Sequence, residues 1–471
     1  MKKTVFKILS LTMSIVMLIC LVQVSAAAAP KTFTITNPYE GVTGLLANED
    51  NHYKTNLHTH STYSDAYIDL NAMVKEHYYQ NFDILAMADH GVIGVPWNEQ
   101  PTLIPLYQYN HVMLNTQSHL SDEEFEAILA GTYTDDYSRR TVKNGMNCVT
   151  GAIEANMLVA QKNHVNGYFM NDNSVEGYLG DEGDFETVIG MIEEAGGISH
   201  INHPGDWLGS ANGELVYDED GNVMLTPNGD EMTKGYQIAT DPGNVQFFAK
   251  ALRKYDSCLG IEVYNSFDRP TSSDRILWDE LLKVIIPEGR NVWGFANNDA
   301  HGLYDVDTAF MDFVLPSYSD DNLRAAMENG QFFAVSRYNA GDRIGTGDAY
   351  PTVISIAVNE AEDTITIIGK NTDTIKWVAD GVTIQTNTSS NNGITISTIS
   401  LGDHSDEISC YVRAELEGEG GKTLTQAFVC DDGNMDDLIN RGAFNPAPID
   451  AISVIRAFIK MILRTFKSFA V

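Results

Sequence analysis

From Thr55 to about Ser336, short apolar runs alternate with stretches whose apolar residues recur every three to four positions. The runs include Asp83 to Ala88, Gly197 to Ser199, Gly260 to Tyr264 and Val292 to Ala296. The helical patterns between them include Asp184 to Ala195 and Asp274 to Val284. Strand, helix, strand at this rhythm predicts an α/β fold built on a parallel sheet or barrel. In such folds functional side chains gather at the carboxyl ends of the strands. Two segments interrupt the rhythm. Residues 96–147 are polar and aromatic and are expected to cap that end. Residues 206–243 contain Asp218-Glu-Asp-Gly-Asn222, which reads as a hairpin turn. A calcium loop is the alternative there, but the full twelve-residue ligand spacing is missing.

From Tyr350 to Cys430 the pattern changes to strand alternation, as in Thr352 to Val358 and Thr364 to Ile368. This predicts a small β-sandwich over 346–432. A hairpin centred on Gly420 would pair Val412 with Phe428, Leu416 with Leu424, and Cys410 with Cys430. An oxidising compartment would allow a disulfide between the two cysteines. With only Cys148, Cys258, Cys410 and Cys430 beyond the leader, and no Cys-x-x-Cys pair, neither a disulfide scaffold nor a thiolate zinc site is expected.

The ends point to a compartment. Lys2 and Lys3, an apolar stretch from Val5 to Val24, and the small residues Ser25 to Ala29 read as a secretory signal over 1–29. A membrane anchor is the rival reading, since the stretch is long enough to span. Residues 30–345 form the α/β domain, and 433–471 a Pro-containing linker and tail. In the tail Arg456, Lys460, Arg464 and Lys467 recur at helical steps among apolar residues, with no acids from Ala451 onward. Such a basic amphipathic helix suits an anionic membrane surface or wall polymer. The rest is strongly acidic: 64 acidic against 30 basic side chains, for a net charge of −34. That surface excludes broad nucleic-acid binding. It admits a small phosphorylated substrate where bound cations reverse the local field.

The histidines are unevenly placed. His58 and His60 end a short strand, and alternation sends both to one face. Asp65 follows. Asp89-His90-Gly91 comes straight after an apolar strand, then Glu154 and His164. His203-Pro204 follows the strand through Ile201, and Asp299-Ala-His301 follows the strand through Ala296. One histidine alone is usually a satisfied surface or core residue. Six imidazoles and three carboxylates at strand ends are different, because burying them together without a cation is costly. Nitrogen and oxygen donors without thiolate suit manganese, iron or zinc.

These motifs, in this order, resemble the polymerase-and-histidinol-phosphatase (PHP) family of metal-dependent phosphoesterases over about residues 55–336. The resemblance implies a distorted (β/α)₇ TIM-like barrel, followed here by the β-sandwich and the amphipathic helix, with two or three divalent ions at its mouth. It implies that His58, His60, Glu154 and Asp299 hold one ion. Glu154, His90 and His164 would bring in a second, with Asp65, His203 and His301 completing the cluster. The expected chemistry is phosphoester hydrolysis by metal-activated water. His203 or His301 is the expected proton donor to the leaving oxygen. Arg269, after a strand, is a candidate phosphate grip, with a surface salt bridge as its plain alternative. Glu262 and His200 are candidate supports behind the ligands. The same cluster could serve a hydrolase of a non-phosphate ester, amide or carbamate. An inactive envelope-binding protein is the remaining reading.

Overall fold

A computed structural model describes residues 32–439, apart from 102–117, 143, 157–162, 182, 210–213, 229–230, 270–271, 340, 348, 389 and 437. The expected leader and the basic tail helix lie outside the described residues. Among those described, no helix is long and apolar enough to cross a membrane.

The strand–helix rhythm is realised as two sheets with helices packed against them. In the first, His52–Asn56, Ile84–Ala86 and Asn147–Val149 run parallel, and Ala309–Val314 joins His52–Asn56 from the other side, antiparallel. The second is five-stranded: Ile153–Ala155, Val165–Tyr168, Ile198–Ile201, Cys258–Asn265 and Trp293–Asn297. The helices Phe185–Glu194, Pro242–Lys254 and Asp274–Ile285 bury their apolar faces in one core with these strands. Asp184 caps the first of them, accepting from Thr187 N at 3.0 Å.

No closed barrel is seen among the described residues. Among the described residues no ladder joins the two sheets; they meet through single parallel bridges at Thr59–Ala300 and His90–Glu154. Within the second sheet the first two pairings are antiparallel and only the last two parallel. The reason at the first pairing is chain length. A parallel crossover needs a dozen or more residues, and the link from Asn156 to His164 is shorter, so the two strands pair antiparallel.

The C-terminal strands do not form a separate sandwich either. Thr352–Asn359, Thr364–Lys370 and Ile394–Ser400 make a four-stranded sheet with Ser390–Asn391. Facing it, Tyr411–Gly418 and Gly421–Leu424 continue the first sheet, because Gly421–Leu424 pairs with Phe332–Ser336. The N-terminal strand Thr34–Thr36 pairs with Phe428–Asp431. Val314 and Phe333 share a core with Ile365, Trp377 and Phe428. Strand pairing and apolar packing therefore run straight across residue 345.

The hairpin near Gly420 has the expected partners at its far end, Val412 opposite Phe428. Nearer the turn the register slips, and Leu416 lies opposite Thr423 rather than Leu424. The slip falls where Gln426 turns away to bond Gly294 N and O at 2.8 and 3.0 Å. Cys430 N donates to Cys410 O at 2.8 Å, and both thiols are free and buried. The predicted turn at Asp218 is present, with Asp218 N donating to Asn222 O at 2.9 Å. The described part of the 96–147 segment packs on the helix Leu70–Tyr79, where Leu120 and Ile128 join Met73 and Val74.

A buried ion pair ties the halves together. Arg413 donates through Nε and Nη2 to the two oxygens of Asp279, both at 2.8 Å, and Tyr411 Oη donates to Asp279 Oδ1 at 2.7 Å. Arg413→Ala is expected to destabilise the protein by about 3–5 kcal/mol, because it strands a buried carboxylate. The double variant Asp279→Leu/Arg413→Met is expected to cost less than the single one. Urea unfolding measures both; a loss below about 1 kcal/mol for Arg413→Ala would class the pair with dispensable surface bridges.

Candidate metal centre

Most of the predicted side chains arrive from a strand end or the loop just after it. His58 and His60 follow His52–Asn56, with ring centroids 5.2 Å apart. The loop beyond them is pinned by Asp89, which accepts from Ser61 N and Ser61 Oγ at 2.8 Å and from Ser64 Oγ at 2.5 Å. That turn returns Asp65 to the cluster. His90 follows Ile84–Ala86, Glu154 sits in its strand, and His164 immediately precedes Val165–Tyr168. His203 and Asp299 adopt left-handed backbone, with φ of 26° and 45°. A histidine pays conformational strain there, and the surroundings hold it: His203 N donates to Glu262 Oε2 at 3.0 Å, and Gly205 N to Asp274 Oδ1 at 2.5 Å.

The nine residues converge. Glu154 Oε2 lies 3.3 Å from His58 Nε2, 3.2 Å from His60 Nε2 and 3.1 Å from His90 Nδ1. Its other oxygen lies 3.2 Å from His164 Nδ1 and 3.3 Å from His203 Nε2. Asp299 Oδ1 is 3.2 Å from His58 Nε2 and 2.9 Å from His60 Nε2. Asp65 Oδ1 is 3.1 Å from His301 Nε2, and Asp65 Oδ2 is 3.6 Å from His90 Nε2. Three overlapping sets each have ligand atoms within 4.8 Å of one another: His58, His60, Glu154, Asp299; His90, Glu154, His164; and His60, Asp65, His90, His301.

Proximity does not satisfy these groups. His58 Nε2, His60 Nε2, His90 Nδ1, both nitrogens of His164, His203 Nδ1 and Asp299 Oδ1 are buried without a hydrogen-bond partner among the described residues. Buried polar atoms are rarely left so, because each forfeits its hydration. Several donors aimed at one small volume fit a cation, and the all-nitrogen-and-oxygen set fits a divalent metal.

Charge coupling is strong in both directions. Burial opposes ionisation of His58, yet Asp299, Glu262 and Glu154 outweigh it and raise its pKa well above the usual value. Burial likewise opposes charge on Glu154 and Asp299, and the surrounding imidazoles hold both well below the carboxylate range. For His203 burial lowers and Glu154 raises, and the carboxylate wins, bringing it to about 9.

Glu262 stands directly behind the ligands. Its Oε1 is 2.8 Å from His58 Nδ1 and accepts from Asn297 Nδ2 at 2.9 Å, while Oε2 accepts from Asn265 Nδ2 at 3.0 Å. An acceptor there fixes the His58 tautomer with Nε2 facing the cluster. His200 is elsewhere: it stacks on Phe295 at 4.4 Å, its Nε2 is 3.0 Å from Tyr168 Oη, and burial takes it down to about 4. Arg269 is exposed on the loop after Cys258–Asn265 and has no ion pair among the described residues. Several participants were not foreseen. Asn202 donates to Glu154 Oε1 at 2.7 Å, Asn265 to Asp299 Oδ2 at 3.2 Å, and Asp274 steadies the turn after His203. Nothing in a single sequence separates these amides from surface ones.

No protein-family profile matches the chain, and no curated protein does. Solved structures show likeness at low identity. One is a two-domain protein from Bacteroides vulgatus containing a predicted PHP-like metal-dependent phosphoesterase: 16% identity, 80% of this chain and 96% of that chain covered, TM-score 0.38. The lesion-specific endonuclease Q from Pyrococcus furiosus is 12% identical, with 59% and 56% covered and a TM-score of 0.30. PsfC from Pseudomonas syringae is 14% identical, with 57% and 85% covered and a TM-score of 0.30. Likeness at this level carries no argument about chemistry, which rests on the site.

The coupling has a pH consequence for metal-free protein. A histidine raised to about 9 stabilises the fold fully below its unfolded value near 6.5 and loses that contribution as pH rises through 9. His52, where burial lowers and Asp312 raises the pKa to about 9, acts in the same window. The Tm of metal-free protein is therefore expected to fall between about pH 6.5 and 9. A flat or rising Tm in differential scanning calorimetry would contradict this charge assignment.

Proposed function

We propose that this chain is a metal-dependent phosphoesterase that cleaves a small phosphorylated substrate. One observation carries the reading: three overlapping ligand sets meet around the buried Glu154 carboxylate, with their inward atoms unsatisfied. His58, His60, Glu154 and Asp299 would hold one divalent ion and His90, Glu154 and His164 a second. His60, Asp65, His90 and His301 form the remaining set, and because they share His60 and His90 with the others the count is two or three. Manganese, iron and zinc all suit these donors. Ions held there supply Lewis-acid polarisation of a phosphoryl oxygen and acidification of water.

The chain's own groups do the rest. His203 belongs to none of the three sets yet lies 3.3 Å from Glu154, so it is the imidazole left to carry a proton to the leaving oxygen. Glu262 holds His58 in register. Arg269, exposed on the loop after Asn265, is our candidate to meet an anionic substrate, and bound cations would offset the acidic surface locally.

Hydrolysis of a non-phosphate ester, amide or carbamate is the second reading. Its support is the scarcity of cations: Arg275, on the neighbouring helix, is taken up by Asp268 at 2.7 Å and lies over Tyr264. We place the protein outside the cell on the apolar leader, with the basic tail against anionic lipid or wall polymer.

His58→Ala or Asp299→Ala is expected to abolish metal content and metal-dependent hydrolysis of p-nitrophenyl phosphate while circular dichroism stays folded. Full activity in either variant refutes the site. Hydrolysis of p-nitrophenyl acetate alone would favour the second reading. Glu262→Gln removes no ligand, and is expected to weaken metal affinity roughly 10- to 100-fold in a metal titration, the usual effect of losing an orienting partner. Wild-type affinity would show that His58 needs no such support.

A further inference from the structure

The cluster is not uniformly buried. His58, His60, His90 and Glu154 are closed off, whereas the side chains of His301 and Asp65 are 31% and 26% exposed. The centre therefore opens on the Asp65–His301 side, and substrate must enter there. That rim is aromatic. Tyr304 is 75% exposed and Tyr67 76%. Tyr67 N donates to His301 O at 3.0 Å, which ties this residue to the opening. The Tyr304 ring lies against the backbone of Gly302, next to His301; a Cβ on Gly302 would stand 2.7 Å from Tyr304 Cε1. Behind Tyr304 lies Phe267, near-parallel at 6.1 Å and 20°, itself braced edge-on by Tyr338 at 5.0 Å.

An exposed tyrosine backed by two further rings gains nothing for the core, since its outer face meets water. Its cost in hydration and its fixed orientation make sense where a second flat group covers it. We propose that this rim binds the leaving group of the substrate through a flat aromatic ring stacked on Tyr304, with Phe267 behind it. The inference rests on the phosphoester reading and adds to it the class of leaving group: a phenol, or a nucleoside whose base supplies the ring. Stacking on a tyrosine face is tolerant of ring identity, because every such ring presents a π surface. Arg269, two residues beyond Phe267 in the chain, is exposed.

Binding of two non-hydrolysable probes to manganese-loaded full-length protein tests this by calorimetry. Phenylphosphonate is expected to bind roughly ten-fold tighter than ethylphosphonate, from one stacked ring. Tyr304→Ala removes a largely exposed side chain, so the fold is not at stake, and it should abolish that preference while leaving ethylphosphonate binding unchanged. Phe267→Leu should reduce the preference in part. Equal binding of the two probes, or a preference that survives Tyr304→Ala, overturns the inference and leaves the phosphoester reading standing. If neither probe binds although the protein holds metal, the phosphoester reading fails and this inference with it. A preference for adenosine 5′-monophosphate over ribose 5-phosphate in competition assigns the ring to a nucleoside base, and its absence to a simple aryl group.

Discussion

One buried carboxylate organises the centre. Glu154 has five imidazole nitrogens within 3.3 Å, from residues that lie far apart in the chain. Buried, the carboxylate keeps one amide donor, Asn202 at 2.7 Å, and otherwise relies on mutual charge, with most of the facing nitrogens making no hydrogen bond among the described residues. Left to itself the arrangement is costly. A chain that builds it must therefore spend structure elsewhere to stop the rings from turning away, and the surrounding polar network does that. Glu262, Asn202, Asn265 and Asn297 each donate or accept at an atom of a ligand or of Glu262 itself. The left-handed backbone at His203 and Asp299 is held in the same way, from Glu262 on one side and from His58 O, 3.0 Å from Asp299 N, on the other.

The architecture follows from the same demand. Two sheets that share no ladder among the described residues nevertheless touch at Thr59–Ala300 and His90–Glu154, and both bridges lie inside the histidine motifs. The ligand-bearing segments are thus the seam between the sheets. A cation bound across that seam would draw together residues from both sides, so metal binding and the joining of the sheets are one event in energetic terms.

Much of the site could be read from the chain because its parts obey simple rules. His58 and His60 lie two apart on a strand, and His90, His203 and Asp299 each follow an apolar run, so convergence at one sheet end was predictable. Glu154 and His164 follow a long insertion, yet they fall in place because Ile153–Ala155 and Val165–Tyr168 are adjacent antiparallel strands. That antiparallel pairing was not legible. Apolar runs mark a strand without marking its direction, and only the short link between the runs argues for reversal. The supporting amides were invisible for a different reason. Asn202 and Asn297 look like any loop asparagine until the fold places them against Glu154 and Glu262, since burial of an amide is a tertiary fact. Arg269 shows the reverse: a plausible position in the sequence, but an exposed side chain whose role depends on what arrives from solvent.

The continuity between the two halves alters how the C-terminal strands should be understood. Alternation in the sequence predicts a small β-sandwich over 346–432. Instead, Phe332–Ser336 hands its free edge to Gly421–Leu424, and the loop after that strand sends Gln426 back to Gly294, inside the strand that leads to Asp299. Tyr39, from the N-terminal segment, donates to Phe332 O at 3.1 Å and accepts from Gln426 N at 2.7 Å. An edge strand left open is a liability, and here the C-terminal strands cover it. Their contribution to the centre is then mechanical. By clamping Trp293–Asn297 from behind, they restrict the strand whose end carries Asp299 and His301, and a ligand set that must hold imidazoles against their own repulsion depends on such restriction more than on any added chemistry.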